Sequence, residues 1–191
     1  MRRRVIGMLI VVKLAAGVAL FGKGTWIYGK AQVAQLLIEQ AWDRTVAGER
    51  QVKPWPWADT WPVARLYAPR HDADFYVLAG ISGRSLAFGP GHMDGTALPG
   101  GPGNCVISAH RDTQFRFLRN IQIGDELFLE TPAGTVYRYD VIDRRIVHER
   151  ETSVLEPTDE HRLTLLTCYP LDALVPGGPL RYVVTAELAR S

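Results

Sequence analysis

The chain has 191 residues, 47% of them hydrophobic and 22% charged, with a formal net charge of +2. That length supports one well-buried core plus an appendage, so one catalytic or binding domain is expected. The small net charge and scattered arginines exclude a nucleic-acid-binding footprint, which needs basic residues gathered on one face.

The N-terminus reads Met1-Arg2-Arg3-Arg4, followed by an apolar run from Val5 to Phe21 broken only by Lys13. A basic cap on a run about long enough to cross a bilayer predicts a secretory signal or an uncleaved anchor, with the arginines held in the cytoplasm. Lys13 weakens the span, whereas Trp26 and Tyr28 suit the outer interface, and the absence of a clean small-x-small cleavage site favours an anchor. Gly17 to Lys23 has the spacing of a phosphate-binding loop, but Gly24 stands where Ser or Thr is required and no strand precedes it. That motif is rejected.

Val33, Leu36, Leu37 and Ala41 follow helical spacing, which predicts an amphipathic stalk from Ala31 to Arg44. Pro54, Pro56 and Pro62, interleaved with Trp55, Trp57 and Trp61, then break regular structure. The tryptophans suit hydrophobic plugs on the following domain better than an interfacial foot, because so much apolar surface is rarely left in water. Short strands are expected over Val63–Tyr67, Phe75–Ile81, Cys105–His110, Glu126–Glu130, Val136–Val147, Arg162–Cys168 and Leu180–Leu188, with Phe88–Asn104 a Gly/Pro-rich loop. Many strands and almost no helix predict an all-β, antiparallel-rich barrel or sandwich. The divisions are thus 1–30 anchor, 31–60 stalk and Pro/Trp linker, and 61–191 β-domain.

Three reactive side chains stand at strand ends: His110, Cys168 and Arg181. Alternation sets His110 on the face of Val106 and Ser108, and Arg181 on the face of Val183, Thr185 and Glu187. A thiol, an acid–base and a fixed cation are what acyl transfer requires, although each alone is also an ordinary core or solvated residue. Cys105 lies five residues before His110, roughly 16 Å along an extended strand and on the opposite face, so it reads as a core residue rather than a disulfide partner of Cys168. His71, His92, His148 and His161 lack ligand spacing, so no metal is expected. Glu149, Glu151 and Glu156 read as a solvated loop, not a calcium site.

Pro99 to Phe115, containing His110-Arg111-Asp112-Thr113, together with Leu163-Thr164-Leu165-Leu166-Thr167-Cys168-Tyr169-Pro170 and then Arg181, closely resembles the sortases. The resemblance spans about Trp61 to Leu188. Tyr169-Pro170, the Pro-Trp-Pro-Trp linker and Leu86 to His92 resemble the proteobacterial, Gram-negative, class D-like branch most. The resemblance implies a closed β-barrel of about eight strands behind a single-pass anchor in the inner membrane, facing the periplasm.

It also implies that Cys168 is the nucleophile, His110 the acid and base, and Arg181 the oxyanion or substrate-orienting cation. Cargo with an LPxTG-like C-terminal sorting signal is cut, held as a thioester and passed to an amine, without cofactor. Thr167 matches a substrate-positioning threonine, and Asp112 either orients His110, bearing on substrate, or balances Arg111. Ala109 departs from the glycine that usually precedes the histidine. Rival readings are an L,D-transpeptidase acting on peptidoglycan, whose Ser-His-Gly-Cys type of motif is absent, and a non-catalytic anchored β-domain.

Overall fold

A computed structural model describes residues 2–173, 175 and 177–189. It divides into two units, 1–37 and 38–191. Helix α1 runs from Arg2 to Val46, so the expected anchor and stalk form one continuous helix. Among the described residues no helix is long and apolar enough to cross a membrane. Charged Lys13 interrupts the apolar stretch and Lys23 follows closely after it, which insertion energetics would penalise. Thr45 bonds back to the Ala41 carbonyl at 2.7 Å, and Gly48, at φ +101°, takes the left-handed conformation that ends helices.

The second unit begins with the last turns of α1, where Ile38, Ala41 and Trp42 are buried and Trp42 lies against Tyr76, ring centroids 6.0 Å apart. The Pro/Trp segment follows. Trp55 meets Phe88 edge-on at 4.9 Å, as a plug should, but Trp57 is 82% exposed and plugs nothing.

The strands are β1 (Pro62–Ala68), β2 (Ala73–Ala79), β3 (Gly91–His92), β4 (Gly103–Ser108), β5 (Glu126–Glu130), β6 (Val136–His148), β7 (His161–Tyr169) and β8 (Leu180–Leu188). They close into one barrel in the order β1-β2-β3-β4-β7-β8-β6-β5. Closure removes the free edges that would otherwise template aggregation. Six of its pairings are antiparallel, while β2/β3 and β4/β7 are parallel. Strand β3 lies inside the stretch read from sequence as loop, since two residues carry no alternation to read. Gly91 permits it: a Cβ there would stand 2.2 Å from the Gly80 carbonyl oxygen.

Period-two alternation fills the interior. Leu66, Val77, Cys105, Ile107, Leu127, Leu129, Tyr139, Leu163, Leu165 and Val184 are buried there, joined by Phe115 and Leu118 from a 3₁₀ stretch over Gln114–Arg119. A smaller cluster of Val147, Val154 and Val183, flanked by Leu155 and Leu166, packs outside the barrel beneath the 3₁₀ turn Thr152–Leu155. Val147, Val154, Leu155 and Leu166 of that cluster line a groove that Arg181 also lines.

Candidate active site

Strand β7 carries Leu163 and Leu165 inward, so alternation turns Thr164, Leu166 and Cys168 outward. On β8, Val184 and Ala186 face the core, which turns Arg181 and Val183 outward. The antiparallel register pairs Cys168 directly with Arg181. Directly opposed residues lie on one face, with Cβ atoms about 4.5–5.5 Å apart. On the other side, β4 runs parallel to β7 with Ser108 opposite Leu166, and the Ala109 amide donates to the Leu166 carbonyl at 3.2 Å. The same register carried on two residues brings His110 level with Cys168. Three neighbouring strands therefore bring all three candidate residues to one end of the outer face.

Cys168 is half-buried and His110 exposed, and among the described residues neither the thiol nor the imidazole has a hydrogen-bond partner. Strand β4 ends at Ser108, two residues short of the expected His110 end, because the chain turns at Arg111 into the 3₁₀ stretch. Ala109 is buried in the core, so its methyl points away from the histidine's face. Thr167 is buried too, and its hydroxyl donates to the Ala109 carbonyl at 2.7 Å, tying the ends of β4 and β7 together. Asp112 faces the Arg111 Nε at 3.5 Å and Arg119 at 3.6 Å, not the histidine, so of its two expected roles the geometry matches balancing Arg111.

A model of the sortase domain matches residues 66–189, a span that contains the whole three-strand constellation. The chain belongs to the sortase family. It is 32% identical over 120 residues to Sortase D of Bacillus subtilis, covering 62% of this chain and 60% of that protein. Sortase A of Listeria monocytogenes is 29% identical over 110 residues, 56% of this chain and 49% of the relative. The chain thus spans about half to three fifths of the length of these curated relatives. Among solved structures, the catalytic domain of B. anthracis SrtD is 34% identical with a TM-score of 0.58, over 68% of this chain and 88% of that one. A Clostridium perfringens Sortase D5 transpeptidase superposes with a TM-score of 0.63 at 24% identity, over 80% and 89% of the two chains, which shows the shared fold.

Around this sortase site the structure adds residues that sequence reasoning missed. Arg181 donates from Nη2 to Glu149 at 2.7 Å and from Nη1 to the Gly178 and Leu180 carbonyls at 2.8 and 2.9 Å. Glu149, read from sequence as part of a solvated loop, is thus the carboxylate partner of the candidate cation. Asn104 donates to the Val154 and Glu156 carbonyls at 3.0 and 3.2 Å and accepts from the Thr164 hydroxyl at 2.7 Å, which fastens the β6–β7 connection to the barrel. Beneath that connection lies a groove of about 310 Å³, lined by apolar Met93, Val147, Leu155 and Leu166 and by charged Glu149, Glu151 and Arg181. Arg111 grips the segment after Cys168. No spacing rule could reveal these partners, because each contact joins residues that only the closed barrel brings together.

The second cysteine, Cys105, is 1% exposed in the core and free, and burial pushes its thiol up to about 12. Of the histidines, His71 meets Asp125 at 2.7 Å and His92 meets the Ala97 carbonyl at 2.8 Å. Among the described residues no group of three or more His, Cys, Asp or Glu side chains is placed to hold a metal ion.

Proposed function

We propose that this sortase-family chain is a membrane-anchored cysteine transpeptidase acting on cargo with an LPxTG-like C-terminal sorting signal. The observation that carries the reading is the pairing of Cys168 with Arg181 on the outer face, with His110 at the end of the adjoining parallel strand. The Cys168 thiolate attacks the scissile carbonyl while His110 holds the thiol proton. Arg181 stabilises the charge on the tetrahedral oxygen. When the C–N bond breaks, His110 protonates the departing amine and the acyl group stays on sulfur as a thioester. An incoming amine then loses its proton to His110, attacks the thioester and releases the thiolate.

The groove beside Arg181, lined by both apolar and charged side chains, takes part of the signal. Thr167 supports the site through its bond to Ala109, and Asp112 through its arginine partners.

Localisation and organisation belong to the same proposal. The arginine cap, the Val5–Phe21 run, Trp26 and Tyr28 support a single-pass inner-membrane anchor over 1–30, a stalk and linker over 31–60, and a periplasmic catalytic domain over 61–191. Tyr169-Pro170, the Pro/Trp linker and the Leu86–His92 segment support the proteobacterial, class D-like branch.

Incubation with a Leu-Pro-x-Thr peptide and hydroxylamine tests the chemistry. A hydroxamate product is expected from the wild type and not from folded Cys168→Ala or His110→Ala proteins. Product formation that survives Cys168→Ala would end the reading.

A further inference from the structure

The geometry points to Arg111 as a positioning residue that fixes Pro170, Ala173 and Val175, between Cys168 and Arg181, and so sets both against His110. The inference rests on the transpeptidase reading above for its kinetic consequence, though not for its geometry. Arg111 is 4% exposed, yet among the described residues its one carboxylate partner is the exposed Asp112 at 3.5 Å. Its guanidinium is spent on backbone instead: Nη1 donates to the Pro170 carbonyl at 2.9 Å, and Nη2 to those of Ala173 and Val175 at 3.2 and 2.8 Å. Arg119 donates to the Leu171 carbonyl of the same segment.

A buried cation is costly unless it is thoroughly hydrogen-bonded. A planar five-donor fork meets three separated carbonyls in a way that a lysine point charge does not. What the fork holds is Pro170, Ala173 and Val175, on the connection that starts just after Cys168 and returns to Arg181. That connection contains Gly177 and Gly178, both at positive φ (+100° and +104°), so local sequence alone does little to fix its path. Arg111 also follows His110 directly. The residue beside the imidazole therefore holds the connection between thiol and cation, while Thr167 ties the two strand ends on the opposite face. A merely structural arginine would affect stability alone. A positioning arginine affects turnover in molecules that are fully folded.

The test uses full-length Arg111→Gln and Arg111→Lys, with the exposed neighbour Arg116→Gln as a charge-loss control. Three readouts are compared: thermolysin cleavage within 170–179 located by mass spectrometry, kcat and KM for hydroxylaminolysis of a Leu-Pro-x-Thr peptide, and the folded fraction by circular dichroism. Arg111→Gln is expected to raise cleavage of the segment about tenfold well below its melting temperature. Its kcat per folded molecule should fall about 100-fold, the scale of a 1 Å misplacement, with KM changed less than about threefold. Arg111→Lys, which keeps charge and stem and carries the test should the glutamine variant not fold, should recover less than about a tenth of the turnover. Unchanged segment cleavage, or a turnover loss that matches only the unfolded fraction, overturns the assignment. Should the wild type show no Cys168-dependent turnover, the transpeptidase reading fails, and protease sensitivity alone then decides the clamp.

Discussion

Cys105 and Cys168 lie in adjoining strands but in opposite surroundings: one is sealed in the barrel core, the other half-exposed on its outer face. Burial that pushes the Cys105 thiol up to about 12 leaves no useful thiolate at neutral pH. A thiol-specific chromophore is therefore expected to label one cysteine per folded chain, two in denaturant and none in folded Cys168→Ala. Labelling of both in the native protein would place Cys105 outside the core. At the same scale, Glu149 and Arg181 form a partly exposed pair whose carboxylate faces the cation wanted by the developing oxyanion. Glu149→Gln keeps the size and an acceptor oxygen while removing that negative charge. Peptide kcat/KM is expected to rise by up to about fivefold, the equivalent of about 1 kcal/mol for an exposed pair. The gain should shrink in high salt, since screening acts on the same term. A drop in rate would instead show that the carboxylate is needed to aim the guanidinium.

Elements are pinned by polar groups placed where strands and turns meet. Asp125, just before β5, is almost fully buried and accepts from Arg70 at 2.6 Å and from the Gln122 amide at 2.7 Å, with His71 Nε2 2.7 Å from its second oxygen. Burial alone would raise this carboxyl, but Arg70, the Gln122 amide and His71 together bring it down to about 2. A group held below its unfolded value stabilises the fold above the ordinary carboxylate range. That contribution is lost as pH falls from about 4 towards 2. Asp125→Asn is expected to cost about 2 kcal/mol at neutral pH, on the scale of hydrogen bonds to a charged group and discounted for the exposed Arg70. Urea melts at pH 7 and pH 3 check the sign: the gap between wild type and variant should narrow at the lower pH. The gap should not widen, because the unfolded chain is by then mostly protonated at this position.

At the scale of the whole molecule, seven of the eight strands were legible from their patterning and the turns between them, and alternation gave the faces of His110 and Arg181, whereas closure into a barrel rather than a sandwich came from the family resemblance. The eighth, Gly91–His92, was hidden by its brevity. The partners of Arg111, Asn104 and Glu149 were hidden because hydrogen bonds between a side chain and a distant carbonyl leave no periodic trace. Helix α1 was legible as helix, but not where its role changes, since one run of helix spans both units. Burial marks that change: Ile38, Ala41 and Trp42 belong to the core of residues 38–191, and the Trp42 ring meets Tyr76 of β2. A chain starting at residue 38 is therefore expected to keep the melting temperature and peptide kinetics of the full-length protein. A chain starting at residue 51 loses those three side chains, and with them a burial term of several kcal/mol. Its melting temperature should fall by roughly 5–10 °C, given about 2–4 °C per kcal/mol for a domain of this size. Differential scanning calorimetry of the three proteins measures this directly. Equal melting temperatures for the two truncations would mean that the end of α1 contributes nothing to the barrel, and a fall at residue 38 would mean that residues before it do.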